Sequence, residues 1–262
     1  MIYLSKLITI NYFSYLHKEM RKLLVCAAVL FACAFGAAAQ DWSVSVGSEL
    51  SSQYLWRGFN IAQSPTIVPT ITLNYEKDDF SFEVGHCAIT ELQRDHYLEM
   101  DVWASATFKG ITFMALEQGC GNNLGLGGYA DNFELTLAYE LPFEVCPATI
   151  SWNTFVAGDD YNLLTDVSNP YQRAFSSYVE LDVPFEYKDF SVNATVGATP
   201  YRSDLYENEG GFQFLNLSLK AGYNFTIGDN FGLPVYAQYT YNPLLKANFI
   251  QLGCAFSYTF DL

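Results

Sequence analysis

The chain has 262 residues, of which 17% are aromatic and only 16% charged, against about 25% charged in an ordinary soluble domain. Residues 1–39 hold four of the 13 basic residues and one of the 28 acidic ones. The remainder keeps nine bases against 27 acids, a net charge of −18, which excludes nucleic-acid binding through phosphates and favours cations as partners.

At the N-terminus, Met20-Arg21-Lys22 is a basic start. Leu23 to Phe35 is an apolar core, too short for a membrane helix of about 20 residues. Ala37-Ala38-Ala39 follows as a small-residue cleavage site. The pattern predicts a cleaved signal peptide in residues 1–39, with the true start at Met20 and residues 1–19 as an upstream extension. One β domain is predicted over 40–262.

From Trp42 the chain alternates apolar and polar residues, the period of a half-buried strand. The first predicted strand runs from Trp42 to Trp56. Trp42, Val44, Val46, Leu50, Tyr54 and Trp56 share one face; Ser43, Ser45, Glu49, Ser51 and Gln53 share the other. A loop through Arg57, Gly58 and Ser64 leads to Thr66–Glu76, then a short turn to Phe80–Ala88. Leu98–Phe108 and Ile111–Gln118 follow, joined at Lys109-Gly110. Both faces of Ile111–Gln118 are partly apolar, so its register is open. A glycine-rich loop over 119–131 precedes Phe133–Leu141 and Ile150–Val156.

The clearest hairpin follows. Phe175, Ser177, Val179, Leu181, Val183, Phe185 and Tyr187 oppose a face bearing Glu180, Asp182 and Glu186. Lys188-Asp189 turns the chain into Phe190–Ala198. The last three strands are predicted at Leu215–Phe225, Val235–Tyr241 and Ile250–Leu262, with Leu215 on the apolar face. Twelve strands result, joined by turns that are alternately short and generally longer.

A soluble sandwich would show the same alternation with its apolar face inward. The export signal, the alternating connections, the aromatic strand ends and the aromatic last strand favour the inverse arrangement. The sequence therefore predicts an all-β fold, a closed antiparallel transmembrane β-barrel of about 12 strands with the first and last strands paired. The predicted location is the outer membrane of a Gram-negative bacterium, with both termini periplasmic. Its partners would be outer-membrane lipid, the barrel-assembly machinery and small cationic or neutral solutes. The backbone diameter would be roughly 22 Å, which leaves a narrow lumen.

The run Gly47 to Gly58, containing Ser52-Gln53-Tyr54-Leu55-Trp56-Arg57-Gly58, resembles the start of an uncharacterised family of Gram-negative outer-membrane proteins. That family opens with a Ser-x-Tyr-x-aromatic-Arg-Gly strand end. Pro65 to Pro69, Val84-Gly85 and Tyr97 to Asp101 fit its next strands. The resemblance covers about the first third of the chain beyond the leader. It implies a barrel and the outer membrane, and no reaction. Leu262 departs from the terminal Phe usual in such barrels; Phe260 stands two residues earlier.

By parity the lumen receives Glu83, Glu99, Asp101, Glu134, Glu140, Glu180, Asp182 and Glu186, with Glu49 and Glu76, against Lys220 inside and Arg57 at the rim. This acidic wall would favour cations, and Arg57 would anchor a loop on one of its carboxylates. The leading expectation is a porin-like channel for small solutes. The alternative is a structural or surface-interaction barrel with a closed lumen. The third is a lipid-modifying enzyme: His86 faces outward, but Ala88 stands where a nucleophile would be needed, and Asp95-His96 lies in a loop. No catalytic set, metal-ligand spacing or cofactor motif is expected. Cys87, Cys120, Cys146 and Cys254 are expected as unbridged thiols, Cys87 and Cys120 being separated by a strand.

Overall fold

A computed structural model describes residues 41–93, 97–120, 130–142, 147–161, 172–227 and 231–262. The predicted signal peptide, Asp95-His96 and Cys146 lie outside the described residues. Fourteen strands form: β1 (Trp42–Ser51), β2 (Tyr54–Trp56), β3 (Phe59–Ala62), β4 (Thr66–Lys77), β5 (Phe80–Glu91), β6 (Leu98–Phe108) and β7 (Ile111–Cys120), then β8 (Ala130–Leu141), β9 (Ala148–Ala157), β10 (Ser177–Tyr187), β11 (Phe190–Thr199), β12 (Gln213–Ile227), β13 (Phe231–Asn242) and β14 (Ala247–Asp261). Twelve of them, β1 and β4 to β14, close into one antiparallel barrel. The seam pairs β1 with β14, from Ser43 opposite Asp261 to Ser51 opposite Gly253. No strand of the barrel is left with an open edge.

Polarity runs opposite to that of a soluble domain. Ile71, Phe113, Leu137, Trp152, Phe185 and Leu252 are exposed on the outward face, and Ile250 reaches 68%. Glu99, Glu134, Thr136, Asn153 and Gln251 are buried on the inward face. A sandwich would bury the first set and expose the second. Trp42 departs from this belt: it is 8% exposed and packs on Tyr75 at 4.9 Å. The register of Ile111–Cys120 is fixed by Ile111 opposite Tyr139, which turns Ile111 and Phe113 outward.

Three inward rings lie flat across glycines of neighbouring strands. A Cβ on Gly85, Gly197 or Gly253 would stand 2.0, 1.8 or 2.4 Å from atoms of Trp103, Tyr178 or Tyr236. Large aromatics fit inside because their neighbours have no side chain.

Two register expectations are corrected. The first strand ends at Ser51 rather than Trp56; Tyr54 to Ala62 form a separate hairpin, β2–β3, which is not part of the barrel sheet. Arg57 (φ 49°) and Gly58 (φ 89°) both adopt left-handed backbone between the paired Trp56 and Phe59. That is a two-residue type I′ turn, which no continuous strand can contain. Leu215 is 0% exposed instead of outward. Gly197 pairs with Asn216 and Ala198 with Phe214, so Leu215 is the extra residue of a β-bulge. The bulge re-aims its side chain inward. The predicted hairpin strand also starts at Ser177 rather than Phe175, whose own φ is 53°.

Candidate functional site

The β2–β3 hairpin enters the barrel at the end that carries the longer connections. Its tip meets Phe155 near the end of β9, Tyr178 at the start of β10, Leu215 at the start of β12, and Tyr206 from the loop over 200–212. Phe155, Tyr178, Tyr206 and Leu215 form one buried apolar cluster, with Trp56 and Phe59 of the hairpin packed against it. Trp56 stacks on Tyr206, centroids 5.7 Å apart. A Cβ on Gly58 would sit 2.0 Å from the Leu215 carbonyl oxygen, so both the turn and the close approach require glycine. The Asn242 amide donates to the Gly58 carbonyl at 3.2 Å, and the Gln251 amide to the Gln53 carbonyl at 2.6 Å.

Arg57 sits at the centre. Its Nη1 and Nη2 donate to the two oxygens of Glu134 at 2.6 and 2.7 Å, and Nη1 also donates to the Tyr206 hydroxyl at 2.6 Å. The guanidinium carbon lies 4.7 Å from the Tyr178 ring centroid, 4.8 Å from Trp56 and 6.0 Å from Phe155. Glu134 is 1% exposed and Arg57 12%. Burial works against the charge on Arg57, but the Tyr206 hydroxyl and the Glu134 carboxylate outweigh it and hold its pKa above the ordinary arginine value. Burial raises the pKa of the Tyr206 hydroxyl, keeping it a neutral donor or acceptor.

The other inward acids have partners of their own. Glu99 and Asp101 are buried on β6. The Tyr97 hydroxyl donates to Glu99, and Tyr97 stacks on Tyr54 at 6.1 Å. Below the hairpin, the Tyr178 hydroxyl donates to Glu180 at 2.6 Å. Asp182 accepts from Asn193 and Thr195 at 2.9 and 2.8 Å, and Glu83 accepts from the Trp103 indole. Lys220 lies over the Tyr236 ring, 3.8 Å from its centroid, and the Tyr236 hydroxyl donates to Glu49 at 2.5 Å. Glu140 and Glu186 are exposed beside the short turns. The hairpin thus packs inside one end of the barrel, and carboxylates stand on the inward faces of β1, β5, β6, β8 and β10.

Arg57 and Glu134 come together as partners. Tyr178, Phe155 and Tyr206 were not singled out from the sequence. Tyr178 and Phe155 carried a usable signal, being large rings on the polar face of their strands. His86 faces outward and its Nδ1–H donates to the Asp101 carbonyl at 2.8 Å. Cys87, Cys120 and Cys254 are unbridged. Among the described residues no cluster of His, Cys, Asp and Glu has the geometry of a metal site.

No protein-family model and no curated protein matches the chain. Among solved structures it is similar to an outer membrane channel from Pseudomonas putida F1, with 13% identity, a TM-score of 0.47, and coverage of 84% of this chain and 94% of that one. It is also similar to a mutant porin of Rhodopseudomonas blastica, with 10% identity, a TM-score of 0.38, and coverage of 83% and 100%. Likenesses this distant carry no argument, and the function rests on the chain's own geometry.

Proposed function

We propose that this chain is an outer-membrane barrel that passes small cationic or neutral solutes through an acid-lined lumen, narrowed by the β2–β3 hairpin. The observation that carries this reading is the inverted polarity of a closed sheet. In lipid every backbone group must be paired within the protein, and a closed barrel does this. The barrel strands hold 10 to 15 residues each, enough for the ~9–11 that a tilted spanning strand needs. The chain enters β1 and leaves β14 at the end bearing the short turns, and in outer-membrane barrels that end is periplasmic. Residues 1–39 then act as the export signal, and barrel-assembly machinery and lipid are the partners.

A polar interior with charged groups at several levels is what a hydrated path requires; a barrel that served only as a scaffold could be filled with apolar side chains. The apolar seal around Trp56, Tyr206 and Leu215 favours a second reading, a closed structural barrel. Planar-bilayer recording separates them. A variant with residues 53–63 replaced by a short Gly-Ser linker should conduct more than the wild type. Silence from both proteins would leave the structural barrel standing.

A further inference from the structure

We infer that the pocket around Glu134 is a binding site for a guanidinium-class organic cation, with Arg57 as its tethered occupant. The inference deepens the channel reading by naming the class of solute that its constriction holds. The barrel wall supplies Glu134 from β8, Phe155 from β9 and Tyr178 from β10; the loop over 200–212 adds Tyr206. Trp56 alone comes from the hairpin that carries Arg57.

The recognition is specific to a planar cation. Each Glu134 oxygen takes one Nη, the fork-to-fork geometry that matches guanidinium and not a spherical ion. The Tyr206 hydroxyl accepts a further donor at 2.6 Å. The Tyr178 face, 4.7 Å from the guanidinium carbon, adds attraction to a desolvated cation. In strand pairing the hairpin meets only itself. Side-chain bonds from Asn242 and Gln251, and the Gln53 amide on the Ile250 carbonyl, tie it to β13 and β14, so its withdrawal breaks those bonds and the packing of Trp56 and Phe59 but no barrel ladder. Withdrawal would leave on the wall a carboxylate, a hydroxyl and aromatic faces shaped around a guanidinium. A solute bearing that group would take the place of the Arg57 side chain.

The test uses full-length Arg57→Ala protein in detergent micelles, unfolded thermally with low-millimolar guanidinium chloride or with sodium chloride at equal ionic strength. Guanidinium should raise the melting temperature, by about 4 °C at a tenfold excess over its Kd, while sodium should not. Arg57→Ala/Glu134→Gln should show no such rise, and wild type, with its pocket filled, should show none either. If Arg57→Ala does not fold alone, its refolding yield into micelles becomes the readout, and guanidinium should raise it. An equal response to sodium, or an undiminished response in the double variant, overturns the site. Neither readout requires conduction. A silent but guanidinium-responsive barrel would refute the channel and keep the site; a conducting, unresponsive one would do the reverse.

Discussion

Glu134 is 1% exposed, and Arg57 meets both of its oxygens inside a ring of aromatic side chains. Removing one member of such a pair leaves the other uncompensated, at a cost of about 3–5 kcal/mol. Replacing both with apolar residues of similar size removes that penalty. Glu134→Gln and Arg57→Met should each lower stability by about 3 kcal/mol in urea titrations of the micellar protein. Arg57→Met/Glu134→Leu should lose less than either single change. Strictly additive losses would mean that the pair is not coupled as its geometry implies. On the outer wall, Leu217 is the fifth residue of β12, on the apolar face and 37% exposed. Leu217→Arg should cost about 2–4 kcal/mol in a bilayer if Leu217 sits near the midplane. A spin label at Leu217 should report lipid and one at Lys220 water. The reverse accessibilities would remove the membrane assignment.

At the scale of elements, the barrel strands were legible because their side chains alternate without interruption, and Phe185 to Val192 could hardly be read as anything but a hairpin. The β2–β3 hairpin was not. Tyr54 and Trp56 continue the parity of Val44 and Val46, so periodicity extends the first strand through them. The overlooked signal is Arg57-Gly58, a two-residue turn between aromatics. The Leu215 bulge left no trace in periodicity either, since an apolar residue at an apolar parity position looks regular until its partner strand is known. Arg57 was read as a loop anchor on a carboxylate, but which carboxylate depends on tertiary placement that alternation does not encode. Strand β14 had the clearest expected partner. It closes the seam on β1 over nine paired positions, and an open edge is not tolerated in lipid. Deleting Phe256 to Leu262 should therefore block insertion and leave the chain in the periplasm. Heat-modifiable, membrane-inserted truncated protein would show that the seam closes without them.

For the molecule as a whole, the outward face bears on where the barrel resides, and the proposed conduction turns on the inward face. Beyond residue 39 the chain carries nine bases against 27 acids. On the inward face, Lys220 is spread over the Tyr236 ring and Arg57 is spent on Glu134. Below the hairpin Glu49, Glu83, Glu180 and Asp182 remain, with Glu140 and Glu186 exposed beside the short turns. Several accept hydrogen bonds from neutral donors. Where such carboxylates are ionised, low-dielectric walls focus their field, and screening at physiological salt acts beyond about 8 Å. A conducting barrel should therefore give a cation-selective reversal potential in a salt gradient. Glu180 and Asp182 lie two residues apart on β10, just beyond Tyr178 of the pocket around Arg57. Glu180→Gln/Asp182→Asn should shift the reversal potential toward zero, and Glu140→Gln beside the short turns should shift it less. Anion selectivity in the parent protein, or an equal effect from the two variants, would show that these carboxylates do not set the field.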